Sequence, residues 1–243
     1  MKRISSDSHD VFRPKGQLSK EILLANRFPE EIAAILGERL SDERRSRIDG
    51  VVRHRTNRLA VAIEGVRDPH NTAAVIRTSD AFGLLTAHII EGEDRFLSSR
   101  RVTQGAHKWV DLAVWKKPKP FVEAAHNEGK RVLFAAADGR LDLGEIDPQK
   151  PMVLVFGNEH EGISEEMRTL ADDSFCIPMF GFVESLNVSV AAAVTIAALR
   201  AGGAGDLSEK ELAVLRARYY LRAVRAGYDI VLLNMESEAP QDT

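Results

Sequence analysis

At 243 residues, 44% of them hydrophobic and 28% charged, with a formal net charge of −3, the chain has the composition of one large globular domain or two small ones, and not of a disordered protein. Its single cysteine, Cys176, excludes an internal disulfide framework and a multi-cysteine zinc or iron–sulfur centre, and fits a reducing compartment such as the cytoplasm. The opening MKRISSDSHDVFRPKG has no apolar core and no run of about 18 apolar residues occurs, so neither a secretory leader nor a membrane span is expected.

Residues 1–17 mix Ser, Asp, His, Pro and Gly without a period, which predicts a flexible arm. From Leu18 to Arg58 apolar residues fall on one helical face (Ile22, Leu23, Ile32, Ile35, Leu36, Ile48, Val51, Val52), with breaks near Pro29 and Gly37. This segment, 18–58, is a helical extension with a basic side. Seven arginines between Arg39 and Arg58 oppose only Asp42, Glu43 and Asp49, an excess of four positive charges in a chain whose total is negative. Two readings stay open for it: a phosphate-binding face and a merely solvated one.

After Asn57 short apolar runs alternate with helical patterns. LAVAIEGV (59–66), TAHIIEG (86–92), LAVWK (112–116), RVLFAAA (131–137), MVLVFG (152–157) and SFCIPM (174–179) read as strands. Between them, helices are predicted at Asn71–Phe82, Pro120–Glu128 and Ser164–Ala171. The alternation requires crossover connections, hence an α/β domain over 59–203 with a mainly parallel sheet and helices on both faces. An apolar helix follows from Leu186, then glycines at 202, 203 and 205, then a C-terminal segment, 204–243, with a helix over Ser208–Gly227 carrying Arg216, Arg218, Arg222 and Arg225.

The familiar nucleotide and metal motifs are missing. Gly157-Asn-Glu-His-Glu-Gly162-Ile163-Ser164 has P-loop glycine spacing, but Ile163 stands where the phosphate-binding Lys belongs, and Glu159 and Glu161 put negative charge where an anion would sit. No GxGxxG follows an early strand, the seven histidines form no HExxH pair, and no GxSxG elbow is present, so no metal is expected and a hydrolase is disfavoured.

Three blocks remain, each just beyond the carboxyl end of a predicted strand, where parallel sheets place their sites. The first is Asp68-Pro-His-Asn71-Thr-Ala-Ala-Val-Ile-Arg77-Thr78; its Asn71 and Arg77 are about 600° apart along a helix, a third of a turn from eclipsed. The second is Phe156-Gly157-Asn-Glu159-His-Glu-Gly-Ile-Ser164. The third, IPMFGFVESLNVSVA from Ile177, leaves a strand at Pro178, passes through a Gly-bearing loop and enters a helix with Ser and Asn at its start. Backbone polar groups with Ile177, Met179 and Leu186 as apolar walls suit a small polar ligand with an apolar part.

These blocks, together with GAHKWV at 105–110, resemble the three motifs of the SpoU/TrmH family in the SPOUT superfamily of S-adenosylmethionine-dependent RNA 2′-O-ribose methyltransferases, over residues 59–200. The resemblance implies a deep trefoil knot at about 151–200, a homodimer, and S-adenosylmethionine held by Ala136, Gly157, Ile177, Met179 and Leu186. It implies that Arg77 is essential to the reaction, as proton acceptor or as electrostatic stabiliser, with Asn71 holding it, Glu159 orienting it, and Ser185 and Asn187 positioning the ribose or its loop. PHNTAAVIRT and SLNVSVAAAV point to the branch that methylates guanosine 18 in the tRNA D-loop. Ribosomal RNA is the alternative substrate, and a non-catalytic RNA-binding protein the third reading. Arg44, Arg45, Arg53, Arg55, Arg101 and Lys108 are the expected RNA contacts.

Overall fold

The computed structural model describes residues 10–11, 17–91, 108–158 and 161–237. In chain order its elements are β1 (Asp10–Val11), α1 (Gln17–Arg27), α2 (Pro29–Gly37), α3 (Asp42–Arg53), β2 (Leu59–Glu64), α4 (Pro69–Ala81), β3 (Thr86–Ile90), β4 (Asp111–Trp115), α5 (Pro118–Asn127), β5 (Arg131–Ala135), β6 (Leu141–Asp142), β7 (Met152–Phe156), α6 (Glu165–Leu170), β8 (Asp173–Cys176), α7 (Val188–Leu199), α8 (Glu209–Ala223) and α9 (Gly227–Ser237). A single 3₁₀ turn at Leu143–Glu145 follows β6. The chain divides into two compact units, one containing β1 and Thr56–Ala204, the other Arg13–Arg55 and the chain from Gly205 onward.

The first unit is built on one sheet of order β1-β4-β3-β2-β7-β5-β8-β6. All pairings are parallel except that of β1, which lies antiparallel on β4. That pairing corrects the expectation of a wholly unfolded arm over 1–17: Asp10 and Val11 are opposite Val114 and Ala113. Strands so short carry no readable alternation, which is why β1 and β6 escape a pattern search.

Central β2 (LAVAIE) and β7 (MVLVF) are buried at every position. Their alternate side chains fill two cores. Leu59, Val61, Ile63, Leu154 and Phe156 meet Val75 and Ile76 of α4 and Val188, Ala192 and Ile196 of α7 on one face. Ala60, Ala62, Val153 and Val155 meet Phe121 and Val122 of α5 and Met167 of α6 on the other. Each fully buried branched or aromatic side chain contributes about 1.5–3 kcal/mol of transfer free energy, so these continuous apolar runs are stable only with both faces covered.

The connections diverge at the centre. From β2 the chain turns through α4 to β3, whereas from β7, its neighbour, it turns through α6 toward β8 on the other side. The adjacent carboxyl ends of β2 and β7 thus form the topological switch point where open parallel sheets bind ligands.

Between β5 and β6 the chain does something less ordinary. Ala135 on one flank of β8 and Leu141 on the other are both level with Phe175, so residues 136–140 cross directly over β8. Ala136 N–H donates to the Phe175 carbonyl at 2.9 Å, and a Cβ on Gly139 would overlap the Phe175 backbone, which is why glycine stands there. From β8 the chain returns to α7, which packs on α4.

The second unit is helical. What composition separates into an N-terminal extension and a C-terminal segment is here one unit of α1–α3, α8 and α9. Ser41 caps α3 and a Ser208–Glu211 capping box starts α8. The helix predicted to run to Gly227 stops at Ala223, and a separate α9 follows after Ala226 in a left-handed conformation.

Arg55 is the clear correction among the expected RNA contacts. Its side chain is 1% exposed, with the guanidinium 5.5 Å from the Tyr219 ring centroid, so it is a packing residue and presents nothing to a phosphate. Arg222 is also internal, 3.9 Å from Glu21 with both side chains buried. Tyr220 donates its hydroxyl to Asp49 at 3.1 Å, and Arg216 reaches the same carboxylate. Burial first, then the Asp49 charge and hydrogen bond, push the Tyr220 phenol up to about 12. Arg44, Arg45 and Arg53 remain exposed on α3, with Arg45 paired to Asp42 at 2.6 Å.

Candidate active site

Asp68 ends the β2–α4 loop as an N-cap, its carboxylate accepting from His70 N–H at 2.8 Å, and Pro69 begins α4 with its φ already helical. This start places Asn71 in the first turn, half-buried, and Arg77 further along the same helix, exposed. On the other side of the crevice Asn187 caps α7. Its Oδ1 accepts from Ser189 N–H at 2.9 Å and Ser189 Oγ at 2.6 Å, leaving Nδ2 to donate to Asn71 Oδ1 at 3.2 Å. Residues 116 apart in sequence therefore meet, and each amide is oriented by its network. The family resemblance implies that Asn71 holds Arg77; the hydrogen bond seen between side chains here joins Asn71 to Asn187.

Three of the five expected cofactor residues stand at neighbouring strand ends. Ala136 follows β5, Gly157 follows β7 and Ile177 follows β8, the carboxyl ends of three adjacent strands, and Met179 and Leu186 belong to the loop from β8 to α7. Ile177, Met179 and Leu186 are half-exposed, which leaves apolar surface beside the backbone polar groups of these turns. A Cβ on Gly157 would overlap the Gly162 carbonyl, because the loop closes on itself through Asn158 N–H to Gly162 O (3.0 Å) and the reverse bond (2.9 Å). Ser185 is exposed, as are Phe180 and Phe182, which at 98% and 108% have essentially their whole rings uncovered.

The second loop is fastened to the first. Asn158 Nδ2 donates to the Gly65 carbonyl at 2.8 Å, Ser164 donates through both N–H (3.1 Å) and Oγ–H (2.6 Å) to the Glu64 carboxylate, and Arg67 meets Glu161 at 3.4 Å. Glu64 is buried, and burial raises its carboxyl above the usual carboxylate range despite the two Ser164 hydrogen bonds, with Glu166 adding to the rise. Glu64, Asn158 and Ser164 were not singled out by motif reasoning. The readable sign was a lone acid closing the apolar run LAVAIE.

Of the remaining expected residues, Glu159 and Arg101 lie outside the described residues, as do residues 105–107 of GAHKWV. Lys108 is half-buried with its ammonium 5.1 Å from the Trp109 ring centroid. Among the described residues no cluster of His, Cys, Asp or Glu could hold a metal ion, and no helix is long and apolar enough to cross a membrane.

Residues 58–197, which contain all three loops, match the model of the SpoU rRNA Methylase family. The chain belongs to the SpoU methylase family. It is 41% identical over 158 residues to the tRNA (guanosine(18)-2′-O)-methyltransferase of Thermus thermophilus, covering 64% of this chain and 81% of that one. Among solved structures it is similar to the A. aeolicus TrmH/SpoU tRNA modifying enzyme, with TM-score 0.66 and 30% identity over 76% of this chain and 98% of that chain. It is also similar to the SpoU methyltransferase AviRb of Streptomyces viridochromogenes, solved in complex with the cofactor AdoMet, with TM-score 0.54 and 27% identity over 61% and 58% of the two chains. For this SpoU methylase, the meeting of three strand ends with half-exposed Ile177, Met179 and Leu186 fits a ligand that joins an adenine ring to a polar tail.

Proposed function

We propose that this SpoU methylase transfers a methyl group from S-adenosylmethionine to the ribose 2′-hydroxyl of guanosine 18 in the D-loop of tRNA. The observation that carries the reading is the Asn187–Asn71 hydrogen bond at the switch point, which joins the loop before α7 to the helix bearing Arg77. The likeness to a tRNA guanosine-18 enzyme over 81% of its length supports tRNA as the substrate.

The bound cofactor supplies an electrophilic methyl on a sulfonium sulfur. Gly157, Ala136 and Ile177 would offer backbone polar groups to its adenosine, and Met179 and Leu186 would cover its apolar part. A ribose 2′-hydroxyl is a poor nucleophile until its proton leaves, here to solvent water. Arg77 stabilises the developing alkoxide with its fixed positive charge, the role a guanidinium performs without losing its proton. Asn71 and Asn187 set the loop that positions the ribose, Ser185 faces the substrate from that loop, and Glu159 orients Arg77.

Exposed Arg44, Arg45 and Arg53 of α3 bind RNA phosphates, and Arg101 and Lys108 of the other unit are separate phosphate contacts. The protein acts as a homodimer: Val190 and Val194 on α7 and Phe180, Phe182 and Val183 before it are exposed apolar side chains, of the kind that subunit interfaces cover. The crossing of 136–140 over β8, with the return to α7, supports a trefoil knot spanning about 151–200. An RNA substrate and one free cysteine fit the cytoplasm.

The test is methyl transfer from labelled S-adenosylmethionine to unmodified tRNA and to ribosomal RNA, followed by nucleoside mass spectrometry. The expected result is 2′-O-methylguanosine at position 18 of tRNA alone. Label confined to ribosomal RNA overturns the substrate, and cofactor binding without transfer to either overturns the activity.

A further inference from the structure

We infer that Glu64 is a positioning residue, whose carboxylate fixes the loop 157–164 to the end of β2 and thereby sets the cofactor loop against the helix that carries Asn71 and Arg77. The inference rests on the function proposed above only where it names the cofactor; the fastening itself is a property of the fold.

Glu64 is 5% exposed at the end of a strand whose other residues are all apolar. A carboxylate is expensive to bury, and an apolar residue there would serve the core better. What it has instead is a directed role. Both oxygens are engaged by one residue, Ser164, through its N–H and its hydroxyl. The same Ser164 Oγ accepts from Met167 N–H at 3.1 Å and so caps α6. Glu64 therefore determines where the loop ends and α6 begins.

The next residue holds the loop's other foot, since the Gly65 carbonyl accepts from Asn158 Nδ2, whose Oδ1 accepts from Glu161 N–H at 3.3 Å. The last residue of β2 and the residue just after it thus grip both feet of a loop that is already pinched shut by the Asn158–Gly162 backbone pair. That strand leads within a few residues into α4. The loop holding Gly157 and the helix holding Asn71 and Arg77 cannot shift independently while Glu64 is in place. Remove its acceptor oxygens, and one foot is released.

Three variants test this on the full chain: Glu64→Leu, which keeps bulk without an acceptor; Glu64→Gln, which keeps one acceptor oxygen; and Ser164→Asp, which keeps a capping side chain for α6 but sets two carboxylates together. The first readout is hydrogen exchange without cofactor. Amides of 158–167 should exchange faster in Glu64→Leu and Ser164→Asp, with β2 and β7 unchanged and Glu64→Gln close to wild type. The second is the Kd for S-adenosylmethionine, which should weaken on the order of tenfold in Glu64→Leu and Ser164→Asp, the effect typical of removing a supporting partner. Adding Glu64→Gln to Ser164→Asp should restore most of it, and the Kd for tRNA should hold throughout. If Glu64→Leu does not fold, Ser164→Asp and its rescue decide alone. Unchanged exchange over 158–167 in a folded variant, or no rescue, overturns the positioning role. Faster exchange in a protein whose wild type binds no S-adenosylmethionine leaves the fastening standing and overturns the proposed function.

Discussion

The carboxyl edge of the sheet and the helical unit both present polar residues that a sequence marks as candidates, yet they treat them in opposite ways. At the sheet edge Asn71, Gly157, and Ile177 with Asn187 come from three separate stretches and converge, because parallel strands with opposite-going connections deliver every loop to one crevice. In the helical unit arginines from one basic run part company: Arg44 and Arg53 are exposed while Arg55 is enclosed over Tyr219. Topology assigns a location to a loop residue. Charge on a helix assigns none, because a long guanidinium side chain packs along aromatic surface as readily as it enters water.

The largest effect tests the convergent side. Arg77 is exposed on α4 and its side chain supports no core, so Arg77→Ala should keep the wild-type melting temperature while methyl transfer to tRNA falls by about 10²–10³-fold, the range for loss of one transition-state charge stabiliser. Single-turnover rates beside a thermal melt check this, and a folded Arg77→Ala with near wild-type turnover would remove Arg77 from the reaction. Asn187→Ala should lose both its bond to Asn71 and the α7 cap, costing about 1 kcal/mol of stability in addition to activity.

The enclosed arginines predict the opposite signature. Arg222 and Glu21 are a buried pair, so Arg222→Leu alone leaves a buried carboxylate and should destabilise by about 3–5 kcal/mol, with Glu21→Leu in the same chain recovering much of it. Arg55→Ala should cost about 2–4 kcal/mol through lost packing, with no change in tRNA affinity for the folded fraction. Urea melts and filter binding separate the two quantities. Weaker tRNA binding by a stable Arg55→Ala would mean that the side chain leaves its cage to meet RNA.

The same contrast explains what the sequence could reveal. Strands β2 and β7 were legible because six and five consecutive buried residues leave no other home for LAVAIE and MVLVF. The loops were legible through their motifs. The Glu64–Ser164 bond was not, because it joins residues 100 apart that come together only when β7 inserts beside β2. Nor was the union of α1–α3 with α8 and α9 in one unit, since amphipathic helices show that they need a partner without naming it.

Glu64 also gives a smaller, pH-dependent effect. Burial holds its carboxyl above the ordinary value of about 4.3, so the folded chain binds this proton more tightly than the unfolded one. Its contribution to stability is then complete below about pH 4 and is lost as pH rises through the folded pKa. Asp173, at the start of β8, works in the other sense: hydrogen bonds from Arg140 hold it low, against its burial, and its contribution is lost as pH falls. Glu64→Gln should abolish only the first slope, seen as a urea midpoint that no longer declines as pH rises above the ordinary carboxyl value of about 4.3.

The smallest effects belong to the exposed arginines, and they decide whether α3 touches RNA at all. Arg44→Ala and Arg53→Ala remove exposed side chains and should leave stability within about 0.5 kcal/mol. If each neutralises a phosphate, tRNA affinity should fall uniformly across tRNA sequences and the slope of log K against log salt should drop by about one per residue. An unchanged slope would mean that the positive excess on α3 is a solvated face, leaving the tRNA grip to the loops of the sheet unit. Arg45 is a further control, since its guanidinium is already engaged by Asp42, and Arg45→Ala should move the slope by less than one.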